Sequence, residues 1–466
     1  MDITKNRDVN GKTYNRLLLI ISVLVGGFMA VLTETLLNNG LPAISQSLHV
    51  NMATVQWLST GYLLTIGIMM PISALLLYKF NSKKLYLSSL IIFLLGSVIS
   101  YIAPNFSLLL TGRIIQAVSV GIIMPFMQNI IVMIFPIEKR GMAMGLAGVV
   151  IALAPAIGPT LSGWIVDNYS WRDLFGLLIP ISIMVILLAV VGMRKIIVTT
   201  NPKIDSLSII YSTVGFGGLL YGFSTLSSGS LIVSILALVI GVIGVWLLVR
   251  RQLRMQTPML DMHVFRSKTF TLTTWLSSLS NMSFIGMQLL VPLYLQSVFQ
   301  VSALTAGLVM LPGALMMGVM NPIAGRLFDR YGIRVLAIIG FSIFTITTIL
   351  FVIINQNTPL VLVTILYAIW MGGISLIVMQ LGTAGINDLK ESLIAHGNAV
   401  NAMARQVAAA IATALLISIS VLGTKFSHSS SLIVTQLTGY RTAFLAVAVI
   451  SVVGLYGVFK LKKQKN

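Results

Sequence analysis

Fourteen apolar stretches, most of them near 20 residues, run through this chain with only short polar breaks between them, and that pattern leaves few folds open. About 20 apolar residues is the length an α-helix needs to cross the hydrocarbon core. Within that core every backbone N–H and C=O must be satisfied inside a helix or a closed barrel. Barrel strands alternate polar and apolar residues, whereas these stretches are apolar throughout. Only 9% of the residues are charged, against about 25% in soluble domains. The chain therefore reads as an all-α polytopic membrane protein. The predicted spans are about 17–40, 55–78, 85–102, 107–134, 142–166, 174–193, 206–226, 231–249, 270–298, 303–324, 335–354, 360–386, 394–421 and 442–459.

Charge orients these spans. With both termini on one side, 25 of the 30 Lys and Arg residues fall on that side; Arg172, Lys425 and Arg441 fall on the other, and Arg113 and Arg405 lie within spans. The positive-inside rule makes the basic side cytoplasmic and requires an even number of spans. It also accounts for the net charge of +19 without a nucleic-acid partner. The basic flank at the N-terminus leads into an apolar run with no small-residue cleavage site, so the first span is expected to be retained in the plasma membrane. The chain has no cysteine, so disulfide and thiolate chemistry are excluded. His49, His263, His396 and His428 have no metal-ligand spacing. Gly11-Lys12-Thr13 has the end of a phosphate loop, but Asn6 stands where its first Gly belongs and no strand precedes it, which leaves ATP-driven transport unsupported.

Glu34 is the one acidic residue that falls inside a span away from the loops. An ionisable side chain at such depth costs roughly 2.5–3.5 kcal/mol on insertion scales and marks a functional site by default. At 1.5 Å per residue it lies about 26 Å from Leu17, in the outer part of its span. The plainer reading is a carboxylate that only reaches outer water; the functional one is a protonatable group facing a cavity.

The chain also repeats itself. Pro71–Lys83 after the second span aligns without a gap with Pro322–Arg334 after the tenth. The two occupy equivalent places if two six-span halves flank a two-span insert. That gives an N-terminal bundle over 1–195, an insert with its linkers over 196–268 and a C-terminal bundle over 269–466. A parallel repeat of this kind places a substrate site near the midplane between the halves.

Gly325-Arg-Leu-Phe-Asp329-Arg330-Tyr-Gly332-Ile-Arg334 resembles the loop signature of the major facilitator superfamily. Leu110-Thr-Gly-Arg113-Ile-Ile-Gln116, running on to Gly121 and Pro125, is similar to the family's fourth-span motif with its buried Arg. Gly158-Pro159-Thr-Leu-Ser-Gly163 is similar to the fifth-span antiporter motif, and Ser170-Trp171-Arg172 follows at the family's spacing. Glu34-Thr-Leu-Leu-Asn38-Asn-Gly-Leu-Pro42 resembles the first-span motif of the fourteen-helix drug:proton antiporters. Pro292-Leu-Tyr-Leu-Gln296 and Arg405-Gln406 add matches in the C-terminal half. The sequence departs from the family at Tyr78, where an Asp is usual, at Asn81, where a Gly is usual, at Asp173, which replaces an aromatic, and at Thr33, with the carboxylate one residue later at Glu34. One residue is about 100° of helix.

The resemblance implies the major facilitator fold, with two six-helix bundles and two extra helices, and a proton-coupled exporter of lipophilic, often cationic drugs. Glu34 and Arg113 are then the proton-coupling pair. Gly158, Pro159 and Gly163 support conformational change and limit proton leak. Gly325, Asp329 and Arg330, with Arg326 and Arg334, form a cytoplasmic gate. Asn38, Gln116, Gln288, Gln296 and Arg405 are candidates for the substrate cavity, although each amide taken singly is better explained by interhelical bonding. For Arg113 the structural alternative is binding to backbone carbonyls, and for the gate arginines it is solvated charge that only sets topology. No cofactor is expected, since the proton gradient supplies the energy. The expected partners are small molecules, protons and membrane lipid, and the expected state is a monomer. A dedicated exporter of one endogenous metabolite or lipid shares every one of these features, and a membrane receptor without transport is the reading from another class. No nucleophile–base pair or metal cluster points to an enzyme.

Overall fold

The computed structural model describes residues 9, 11, 13–37, 40–199, 205–225, 230–255, 258, 260–425, 427 and 431–461. Its long helices are α1 (Arg16–Leu36), α2 (Trp57–Lys79), α3 (Ser82–Tyr101), α4 (Phe106–Ile134), α5 (Arg140–Asn168), α6 (Leu178–Gly192), α7 (Ser206–Thr225), α8 (Leu231–Gln252), α9 (Lys268–Ser297), α10 (Ala303–Ile353), α11 (Leu360–Ser375), α12 (Val378–Asn387), α13 (Ile394–Thr424) and α14 (Leu432–Val458). Polar residues at the breaks start them. The Asn15 side chain accepts from the Leu17 and Leu18 N–H groups, Asn105 from Leu108, Ser267 from Phe270 and Ser302 from Thr305. Each such cap satisfies donors that the first helical turn leaves open.

Twelve segments of the described residues are long and apolar enough to cross a membrane. One of them, α10, has 51 residues. At 1.5 Å per residue that is about 76 Å, more than twice the ~30 Å hydrocarbon core. The helix turns within itself at Gly332, where φ is 74° and ψ is 169°, a region open essentially to glycine alone. The sequence placed two spans here, 303–324 and 335–354, and the turn falls between them. The twelfth stretch, expected as one helix, is broken at Leu376–Ile377. Gly372, Gly373 and Ser375 weaken it there, and Leu376 and Ile377 instead donate to the carbonyls three residues back. The last helix begins ten residues earlier than expected.

Helices α1–α6 pack on one another, as do α9–α14. These two groups meet most extensively where α5 packs on α10 and α12 and where α2 and α4 pack on α13. The hairpin α7–α8 lies against α2 of one group and α13 of the other. Its helices approach closely because Gly215, Gly218 and Gly222 face Gly241, Gly244 and Leu238, a small-residue interface of the kind that holds helices together in lipid. At its base Asp205 accepts from the Arg251 Nε and Nη2 at 2.6 and 2.8 Å. That bidentate bond draws the Asp205 pKa down to about 2, so the clamp contributes fully above the ordinary carboxylate range near 3.9 and is lost only as pH falls toward about 2.

Candidate functional site

Between the two groups lies a cavity of about 330 Å³, within the range of small-molecule sites. Its wall is mostly apolar, with Ile66, Met70, Met124, Phe284 and Ile285 among its side chains, and its polar groups are few: Glu34, Thr35, Gln128, Asn281, Gln288, Arg405, Gln406 and Thr413. Glu34 comes from α1 and Arg405 from α13, so the two charges belong to opposite groups. The Glu34 side chain is exposed, and the space it is exposed to is this cavity.

Arg113 is not on that wall. It is buried on α4, where its guanidinium donates to Gln116 Oε1 at 3.0 Å and to the Thr33 and Leu58 carbonyls at 3.5 Å. The guanidinium lies 3.8 Å from the Tyr62 ring centroid, close enough for a cation–π contact. The Thr33 carbonyl belongs to the residue before Glu34, so Arg113 holds the Glu34 turn from behind. Gln116 continues inward and donates to Ser97 Oγ at 2.8 Å.

The Gly158 turn of α5 fixes the same part of α1 from another side. A Cβ at Gly158 would strike the Thr35 side chain. Thr35 Oγ1 donates to the Ala154 carbonyl at 3.4 Å, and Ser162 Oγ donates to the Leu36 carbonyl. Gly163 is half-buried on the same helix, and Pro159 lies in the same turn.

Both groups are locked together on the basic face. Asp329 accepts from the Gly141 N–H at 2.8 Å and the Met142 N–H at 2.9 Å. It therefore caps the N-terminus of α5, where a carboxylate meets open donors and the positive end of the helix dipole. The approach needs Gly325, since a Cβ there would run into the Gly141 and Met142 backbone. Around it, Arg140 donates to Asn387 Oδ1 at 3.0 Å, Asn398 donates to Asn129 Oδ1 at 2.6 Å, and Tyr78 donates to the Ser392 carbonyl at 3.0 Å. Tyr78 also stacks on His396, with ring centroids 5.2 Å apart. Tyr78 is the repeat partner of Asp329, so one side of the lock is a carboxylate cap and the other a phenol bonded to a carbonyl.

Several expected residues fall elsewhere. Gln116 is consumed by Arg113 and Ser97 instead of lining the cavity. Gln296 sits exposed near the far end of α9, folded back onto the Pro292 carbonyl. At the expected gate Asp329 caps a helix, and the Arg330 guanidinium lies 5.3 Å from the Tyr331 ring centroid. Asn38 lies outside the described residues. Gln288 and Arg405 do line the cavity. Sequence reasoning missed Asn281, whose side chain donates to the Arg405 carbonyl at 2.9 Å, and it missed Leu220. That residue brings the hairpin into the cavity wall against Gly67, and Trp57 and Tyr221 stack beside it, with ring centroids 5.8 Å apart. Its apolar surroundings in sequence carry no signal of that position.

The sequence matches the family model described as Major Facilitator Superfamily over residues 23–413. It is 44% identical to the uncharacterized MFS-type transporter YcnB of Bacillus subtilis, over 99% of this chain and 98% of that protein. It is 40% identical to the lincomycin resistance protein LmrB of the same organism, over 97% of each. The fold resembles that of the proton:xylose symporter XylE, with a TM-score of 0.68 at 11% identity, over 96% of this chain and 95% of that one.

Proposed function

Because the chain belongs to the major facilitator superfamily, whose members are membrane transporters and not enzymes, we propose that it is a proton-coupled antiporter exporting lipophilic and cationic compounds, drugs among them, from the cytoplasm. The observation that carries this reading is Glu34: a carboxylate on the wall of a central cavity, backed by a buried arginine and reachable from the space a substrate would occupy. The kinship with a lincomycin resistance protein supports a drug as cargo.

The proposed topology has fourteen spans and both termini in the cytoplasm. It is supported by the two arms of α10, by the 29-residue α5 beside the twelve membrane-capable segments, and by the basic loops gathered on one face. In this topology residues 1–195 and 269–466 form the two bundles and 196–268 the insert. The Asp329 cap then closes the cytoplasmic side.

Exchange follows from that arrangement. With the cytoplasmic side closed, substrate leaves and an outside proton is taken up by the Glu34 carboxylate. Protonation removes the charge facing Arg113, which weakens the attraction between the Glu34 turn and α4. The bundles rock, the Asp329 cap on α5 opens, the proton passes to the cytoplasm and Glu34 receives the next substrate.

Purified protein in proteoliposomes, given several dyes and drugs and an imposed pH gradient, tests the reading. Uptake of dissimilar compounds that follows the gradient is expected. Uptake indifferent to the gradient contradicts it, and uptake of a single compound selects the dedicated exporter.

A further inference from the structure

The chain treats its two membrane arginines differently. Arg113 is fully engaged by Gln116, two carbonyls and the Tyr62 ring. Arg405, on the cavity wall, has no protein acceptor for its guanidinium among the described residues, and its Nε is buried without a partner. Asn281, the neighbour that binds Arg405, is spent on its backbone carbonyl. Glu34 apart, the other polar side chains on the two adjoining pockets are neutral: the amides Gln128, Gln288, Gln406, Asn398 and Asn401 and the hydroxyls Thr35 and Thr413. None of these can neutralise a charge, and the one carboxylate on the cavity wall belongs to the opposite bundle.

A guanidinium offers five N–H donors in a planar fork. It keeps its charge in proteins and matches a carboxylate with two parallel bonds. Leaving such a group unpaired in a membrane is costly, so a ligand is the natural source of its missing acceptor.

Building on the antiporter reading, we propose that the cavity is a site for amphoteric ligands, with the ligand's carboxylate held in the Arg405 fork while its cationic end faces Glu34. Such a ligand would bridge the two bundles, and protonation of Glu34 would free its cationic end.

A matched pair of ligands tests this. Ciprofloxacin carries an amine and a carboxylate, and its methyl ester lacks only the acid. Their binding to the full-length protein in lipid nanodiscs is measured by ligand fluorescence. The acid should bind about tenfold or more tighter than the ester, as expected for a charge-assisted bidentate bond. Arg405→Gln should bring the acid to the affinity of the ester and leave the ester within about twofold, while Arg405→Lys, a point charge without the fork, retains part of the difference. Equal binding of acid and ester to the wild-type protein overturns the proposal, as does the absence of binding by either. A loss of both ligands alike in Arg405→Gln also overturns it when the melting temperature of the variant is unchanged. The wild-type comparison needs no variant to fold. Gradient-driven transport of the ester in the same preparation keeps the two claims separate: transport with no preference for the acid sinks this inference alone, and absence of any gradient-driven transport sinks the antiporter reading.

Discussion

Thr35 is the neighbour that any side chain at position 158 would strike, and Thr35 stands next to Glu34. Gly158 is therefore a spacer that sets how α1 presents its carboxylate. Gly158→Val should cost about 1–3 kcal/mol through overpacking and shift the Glu34 turn. Transport should fall more than ligand binding does, and Thr35→Ala in the same chain should restore part of both. Melting temperature and transport in the single and double variants measure this; additive effects would separate the two residues. At this scale Glu34 was legible because a lone acid in an apolar span is conspicuous. Gln116 and Gln288 were not separable by sequence. Both are amides within spans, and only packing shows that one is bound to Arg113 and the other faces the cavity.

At the level of elements, one side of the lock is a helix N-terminus against one carboxylate. Asp329→Asn keeps an acceptor but loses the charge that favours the α5 terminus, a contribution of about 0.3–1 kcal/mol at such sites. The closed basic face should become less populated. Spin labels on that face, one in each bundle, should report a larger share of long distances than in the wild-type protein; an unchanged distribution would leave Asp329 a topological charge. The insert is the other element with a direct test. With no cysteine in the natural sequence, Ser230→Cys supplies a single thiol at the tip of the α7–α8 hairpin. It should react with an impermeant reagent added from outside intact cells. Reaction from the cytoplasmic side alone would break the fourteen-span topology. The twelve membrane-capable segments were readable from hydropathy, and the Gly332 turn from the loop signature. The break between α11 and α12 was not, because an apolar run hides a change of hydrogen-bonding pattern. Nor was the cavity contact of Leu220, because every face of α7 is apolar enough for lipid.

Across the whole molecule, two groups of helices enclose a cavity that carries, among the described residues, one carboxylate on its wall. The repeat of Pro71–Lys83 in Pro322–Arg334 carried the two-bundle reading in sequence. The asymmetry within that repeat, Tyr78 against Asp329, became meaningful only once the structure placed one on the Ser392 carbonyl and the other on the α5 terminus. The central claim is that protons cross on Glu34. Proteoliposomes of wild-type protein and Glu34→Gln, loaded with an internal pH dye and given substrate under an imposed gradient, report substrate and proton flux together. The wild-type protein should move both in opposite directions. Glu34→Gln, which keeps the shape and hydrogen-bonding capacity but cannot ionise, should insert and melt as the wild-type protein does. It should move neither against a gradient, and the pH dependence of its ligand binding should flatten. Substrate-driven proton flux at the wild-type rate in Glu34→Gln would contradict the account.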